Sequence, residues 1–330
     1  MKKNQKLARA FVLVAAALLV STAAVTSSLA ATNNSTGGNG TRVAPVRTDL
    51  TMQPGSTKTI SVFVTNVSGG PTTYKVVAND FTASDDESGA PALMLNGEVN
   101  DQHGLKKFMT AQSTIAVASG AQKEIKVTIS IPKGTAGGGY YGAIRFVPTT
   151  ANDGGNLSLS GNVASLILVR VPGDVTEKLS LVSFDARKDN EPKTIFTSNK
   201  GIEGVIRFRN EGNIQEQPFG KVILKKGSKT IATYEMNGGE QPGNVLPDSV
   251  RRFTVDLDKV GSFGKYTIEG NFGYGSNGQL LSAKTTFYVI PMWAILVGLA
   301  VIAVILFLIF GLPRLLRNYN KRILRKAGRR

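Results

Sequence analysis

Residues 137–142 read GGGYYG, and their glycines have the spacing of a loop that cradles a dinucleotide pyrophosphate. Such a loop follows a strand and opens a helix whose first amides hold the phosphates. Here the glycines follow IPKGTA, which breaks the strand before them, and run into YYGAIRFVP. Ile144 and Phe146 alternate with Ala143 and Arg145 until Pro148 stops the run, so the pattern predicts a strand reached through a flexible glycine approach, with no phosphate site. The chemistry left to these residues is surface recognition. Tyr140, Tyr141 and Arg145 share or adjoin one strand and offer aromatic faces beside hydrogen-bond donors, the set that holds a glycan. The alternative is one tyrosine filling a core and the other on an ordinary strand face.

DQHGLKK (101–107) is a second candidate, with Lys106 and Lys107 placed to meet an anionic wall polymer or simply to solvate a loop. Catalysis finds little support. The chain has no Cys and a single histidine, His103, so neither a cysteine nucleophile nor a multi-histidine zinc site can form within it. No spacing among the Ser, Lys, Asp and Glu residues selects a dyad. The acidic run DDESG (85–89) lacks the alternating oxygen ligands of a calcium loop and reads as a solvated turn. The expectation is therefore a protein with no catalytic residues, no metal and no cofactor.

The elements that carry these residues are strands. In TKTISVFVTN, Ile60, Val62 and Val64 alternate with Ser61, Phe63 and Thr65; in KEIKVTISIP, Ile125, Val127, Ile129 and Ile131 alternate with polar neighbours. YKVVANDF (74–81) is another strand, and ASLILVRV (164–171) is apolar on both faces, so central or covered. Residues 82–113 lack a clear period and read as an inserted loop or subdomain. After Pro172-Gly173 a second set begins with EGVIRFRN, where Ile206 and Phe208 lie opposite Arg207 and Arg209. The fold class is all-β: two tandem immunoglobulin-like β-sandwiches, over 42–172 and 173–290, followed by a single transmembrane helix.

The ends of the chain place those sandwiches. A basic start, an apolar stretch and small residues over 1–30 form a signal peptide, with Ser28 and Ala30 preparing a cut before Ala31. A polar, glycine-rich segment over 31–41 reads as a flexible leader. Trp293 to Leu312 is uncharged and, at about 1.5 Å per residue, long enough for the hydrocarbon core of a bilayer. The helix is assigned to 291–313 and a basic cytoplasmic tail to 314–330. The net charge is +16, but twelve of the 39 Lys and Arg lie in the two terminal flanks, which leaves 27 basic residues against 23 acidic ones between. The basicity therefore sets topology by the positive-inside rule, keeps the C-terminus cytoplasmic and presses the tail on anionic headgroups; it does not mark a nucleic-acid site. The last strand runs almost directly into the span, so the second sandwich sits on the membrane. An exported chain without cysteine points to a bacterial envelope.

The order VAPVRTDLTMQPGSTKTISVFVTN, YKVVANDF, IPKGTAGGGYYGAIRF, a second Ig-like module, one span and a basic tail resembles the WxL-interacting proteins of Gram-positive surfaces. The resemblance is strongest over 43–172, and it implies that the first module binds peptidoglycan and that the second meets a host or partner surface. The chain lacks the WxL motif itself, as a partner of WxL proteins would. The expected function is a non-catalytic, membrane-anchored surface protein that engages peptidoglycan or a secreted WxL-type protein. The alternative is an Ig-like assembly chaperone that acts by strand addition, which would need an apolar edge strand in the first module.

Overall fold

A computed structural model describes residues 36–38, 40–149 and 163–327. The expected signal peptide, its expected cut before Ala31, the first part of the leader and the final three residues of the basic tail lie outside the described residues.

The first sandwich is built in chain order from β1 (Thr36–Gly38), β2 (Thr41–Ala44), β3 (Arg47–Thr51), β4 (Thr57–Asn66), β5 (Thr72–Ala83), β6 (Pro91–Leu93), β7 (Met109–Ala111), β8 (Thr114–Val117), β9 (Gln122–Ser130), β10 (Gly138–Pro148) and β11 (Val163–Val171). One sheet runs β1-β2-β4-β9-β7; the other runs β3-β11-β10-β5-β6, with β8 also on β5. The alternation in the two clearest strands sets the register. Val62 pairs with Ile125 and Ile60 with Val127, so Val62, Val64, Ile125, Val127 and Ile129 all point inward and are buried. They meet Ile144, Phe146, Ile167 and Val169 of the facing sheet. Tyr74 crosses the core edge-on to Phe146 at 6.4 Å, and its hydroxyl is satisfied by Thr41 Oγ1 at 3.0 Å.

The chain changes sheets at Pro45. β2 pairs with β4, whereas β3 pairs in parallel with β11 in the opposite sheet. Proline has no N–H to give to a ladder, so pairing with β4 stops there. The Pro45 carbonyl instead accepts Ser165 Oγ at 2.6 Å. The leader expected to be flexible over 31–41 contributes β1, which pairs antiparallel with β2. A Thr-Gly-Gly segment has no side-chain alternation from which that pairing could be read.

The second sandwich holds β12 (Leu179–Lys188), β13 (Glu191–Pro192), β14 (Ile195–Phe196), β15 (Glu203–Asn210), β16 (Phe219–Lys226), β17 (Lys229–Met236), β18 (Val250–Asp256), β19 (Gly264–Tyr274) and β20 (Gln279–Val289). Its sheets are β13-β12-β15-β18 and β14-β20-β19-β16-β17. With no disulfide to bridge them, they are joined by aromatic packing. Phe208 contacts Phe253 at 6.0 Å and Phe272 at 5.3 Å, and Phe184 meets Phe272 at 5.9 Å, all near edge-to-face.

Strand β20 leads into α1 (Met292–Leu306), a π-helical turn (Phe307–Gly311) and α2 (Leu312–Ala327). The wider turn has a cause. Pro313 cannot donate to the carbonyl four residues back and its ring would press on it, so the register slips one residue before the proline. Arg314 Nη1 then donates to the Phe310 carbonyl at 3.0 Å. The helix is long and apolar enough to cross a membrane.

Candidate functional site

The GGGYYG run lies where the two sandwiches meet. Gly138 and Gly139 are already in β10, so this is no flexible approach to a strand. A loop of the second sandwich, Asn210–Gln215, is laid on it. Gly139 N donates to Asn213 O at 2.8 Å, and Asn213 Nδ2 donates to Gly137 O at 3.2 Å and Asp174 O at 3.0 Å. The glycines permit this approach. A Cβ on Gly137 would lie 2.6 Å from Asp174 N, one on Gly138 2.9 Å from Asn213 O, and one on Gly139 2.0 Å from the Tyr141 hydroxyl. Gly138 also takes φ +147°, which L side chains rarely adopt.

Period two sends the tyrosines to opposite faces. Tyr140 fills the core beside Phe108 at 5.8 Å, and its hydroxyl donates to Ala136 O. Tyr141 points outward yet is 2 % exposed, because the second sandwich covers it. Its ring packs with Phe81, Leu168 and Leu246, and its hydroxyl donates to Gln215 Oε1 at 2.9 Å. Burial pushes both phenols above their ordinary pKa. Neither ring offers a face to solvent. Arg145 shares the outer face with Tyr141, where it is half-buried and its Nε donates to Asn79 Oδ1 at 3.2 Å.

The loop from 94 to 108 is organised by the buried Asp80 carboxylate, which accepts Lys106 N at 2.7 Å and Asn100 N at 3.2 Å. Lys106 and Lys107 form a single 3-10 turn ending at Phe108. Lys107 is exposed and its Nζ lies 5.2 Å from the Phe108 ring centre. His103 Nδ1 sits 2.8 Å from Gly139 O, so the one histidine props the same glycine run. The acidic turn is used internally. Ser84 and Ser88 donate to Asp86 and hold its pKa down to about 2, while Glu87 reaches across to the second sandwich and grips Arg207 with both oxygens. That pair is charge-assisted but about a quarter exposed at each side chain, so Glu87→Gln should cost only about 1 kcal/mol. Denaturant midpoints at low and high salt check this: the loss should shrink as salt rises.

Beside the docked loop lies an open cleft of about 640 Å³ between the sandwiches. Arg47 and Asp49 of β3 and Arg170 of β11 line one wall; Glu216, Phe219 and Ser276 line the other, with Glu177 of the connecting segment between them. Arg47 pairs with Asp49 at 2.7 Å and Arg170 with Glu177 at 2.7 Å. Burial works against the Glu177 carboxylate, but Ser276 and Arg170 outweigh it and keep its pKa below the usual range. Glu216 is different. It is 4 % exposed, its Oε2 accepts Gly275 N at 3.1 Å, and its Oε1 has no hydrogen-bond partner among the described residues. Burial and the nearby Glu177 charge push it up to about 7, against the Gly275 N–H and Arg170. Phe219 stands 59 % exposed at the rim. The cleft thus presents both signs of charge beside a free aromatic face. No group of three or more His, Cys, Asp or Glu suited to a metal is found among the described residues.

Sequence reasoning named Tyr140, Tyr141, Arg145, Lys106 and Lys107. The structure brings Tyr141 and Arg145 onto one face and puts Lys106 and Lys107 on the loop beneath it, but none of the five lines the cleft. The cleft residues Glu216, Phe219, Arg47, Arg170 and Glu177 were not among them, since they lie far apart in the chain and carry no common motif.

No curated protein matches the chain at a significant level. Among solved structures it is similar to the class 5 fimbriae chaperone CfaA, at 13 % identity over 76 % of this chain and 100 % of that one, with a TM-score of 0.36. It is likewise similar to the E. coli chaperone DraB (12 %, 76 % and 96 %, TM-score 0.34) and the Pseudomonas aeruginosa CupB2 chaperone (10 %, 73 % and 98 %, TM-score 0.33). Likeness at this level says nothing about activity. Residues 48–147, which run from β3 through β10, match the family described as WxL Interacting Protein, peptidoglycan binding domain. By that match the first sandwich belongs to the WxL-interacting protein peptidoglycan binding domain family.

Proposed function

We propose that this chain is a non-enzymatic cell-surface protein, held in the membrane by its C-terminal helix, that binds peptidoglycan and presents a secreted WxL-type protein close to the membrane. The family of the first sandwich carries the reading. The cleft supports it: wall polymer offers sugar faces and carboxylates, and the exposed Phe219 ring and the Arg170 guanidinium are matched to those in kind. The chaperone reading finds less support. Edge strands of the first sandwich among the described residues have three to five residues, and β3, the longest, is the polar RTDLT.

Co-sedimentation of the full chain in detergent with purified sacculi tests the proposal. The protein should pellet with the wall, and Phe219→Ala, which removes only an exposed ring, should weaken retention about tenfold if that ring anchors a sugar. A secreted WxL-type protein added to the mixture should pellet with the complex. A full chain that stays in the supernatant at low and moderate salt would overturn the wall-binding role.

A further inference from the structure

The membrane-proximal end of the second sandwich carries exposed apolar side chains that its core does not use. Phe263 and Ile195 are each 55 % exposed and Tyr288 is 41 % exposed. Register puts them together. Gly264 pairs with Val289, Lys265 with Tyr288, and Ile195 with Tyr288 from the other side. All three therefore sit at the end of β20, where the chain leaves for the helix.

The joint there has no slack. Ile290 N donates to Phe196 O at 2.8 Å, Pro291 has φ −64°, and its carbonyl already accepts Ala294 N at 2.9 Å. The three steps from Val289 to Met292 span at most about 11 Å. The interfacial layer above the hydrocarbon is about 5–7 Å deep on each side, and Trp293 belongs within it. Phe263 and Ile195 are thus held within reach of headgroups.

Three lysines lie at this end of the sheet. Lys226 Nζ donates to the Phe263 carbonyl at 2.9 Å, Lys229 faces Lys226 across the β16–β17 hairpin, and Lys265 Nζ lies 5.9 Å from the Tyr288 ring centre. None of the three forms an ion pair among the described residues. An exposed aromatic beside ammonium groups that no carboxylate neutralises is complementary to a phospholipid surface, with phosphate for the lysines and the upper acyl region for the ring.

We propose that this rim, with Phe263 and Ile195 at its centre and Lys226, Lys229 and Lys265 around them, docks onto phospholipid headgroups of the outer leaflet. The proposal rests on the reading of the C-terminal helix as the membrane span. Because the span already holds the rim at the surface, docking is intramolecular and needs little intrinsic affinity. It sets the tilt of the ectodomain and takes up a surface that would otherwise be open to other proteins.

The absence of cysteine makes the test direct, since any introduced thiol is unique. Full chain carrying Ser262→Cys, Gly69→Cys or Gly298→Cys is labelled with an environment-sensitive fluorophore and reconstituted into phosphatidylglycerol bilayers containing spin-labelled lipid. Ser262 is exposed beside Phe263, and added side chains at Gly69 and Gly298 meet nothing within 4 Å. The label at 298 should be quenched by tail-labelled lipid, the label at 262 several-fold more by headgroup-level lipid than the label at 69, and Phe263→Ser with Lys226→Gln should abolish most of the quenching at 262. Quenching at 298 with none at 262 beyond that at 69 would overturn the docking alone. No quenching at 298 would overturn the span, and the docking with it.

Discussion

Tyr141→Ala should cost about 3–5 kcal/mol and uncouple the two sandwiches, the larger part of the loss coming from the cavity left by a buried ring. The ring is enclosed by Phe81, Leu168 and Leu246, with His103 at 5.9 Å, and its hydroxyl serves Gln215 of the second sandwich. Truncation leaves a hole at the joint and an acceptor without its donor. Calorimetry should then show two separate transitions, because contacts that tie the sandwiches into one cooperative unit are lost. Tyr141→Phe keeps the ring and removes one hydrogen bond; it should cost about 1 kcal/mol and leave the unfolding coupled. If Tyr141→Ala unfolds at the temperature of the unaltered protein, the docking role is wrong.

Glu216 should make the protein less stable as pH rises from about 4.5 to 7. Its folded pKa of about 7 lies above the ordinary glutamate value of 4.5, so in that window the folded state binds the proton more tightly than the unfolded state. Stability from this group is complete at low pH and is lost as the carboxyl ionises in its buried site, with a total of about 3 kcal/mol. Glu177, Asp86, Glu87, Glu211, Asp258 and Glu269 are shifted down and act in the opposite sense, but their contributions are lost only as pH falls below the ordinary carboxylate range. The two windows do not overlap. Glu216→Gln should therefore match the unaltered protein near pH 4.5–5 and exceed it at pH 8, as denaturant titrations at the two pH values would show. Equal pH slopes for the two proteins would remove Glu216 as the cause.

Much of this architecture was legible in the residues because its signals are local. The two-residue period of β4, β9 and β15 is printed in the side chains, and a strand apolar on both faces, β11, turned out to be central, its outer Leu168 covered by Leu246. The span is a continuous uncharged run. What was not legible is the surface each element meets. YYGAIRFVP could be read as a strand, but the glycines before it read as a flexible approach, because Asn213 and Gln215, which explain them, come more than seventy residues later. Alternation implied that Tyr140 and Tyr141 face opposite ways; it could not say that a second sandwich covers the outer one. Residues 82–113 carry no period because Asp80 and a set of backbone bonds shape them. Glu216 sits in NIQEQPF, where nothing nearby distinguishes a buried carboxylate from a solvated one.

The two ends by which the second sandwich joins its neighbours are the start of β12 and the finish of β20, and both strands lie inside their sheets, between β13 and β15 and between β14 and β19. Should the wall and the membrane be drawn apart, as by turgor or flow, tension enters along those two strands. Ladder bonds run across the strand direction, so the eleven paired positions of β20 on β19 are loaded together in shear and cannot open one after another like a zipper. The short parallel grip of Ile195–Phe196 closes the mouth of that ladder where the pull arrives. A sandwich wired this way resists stretching through ladders that must fail together, whatever its stability at equilibrium.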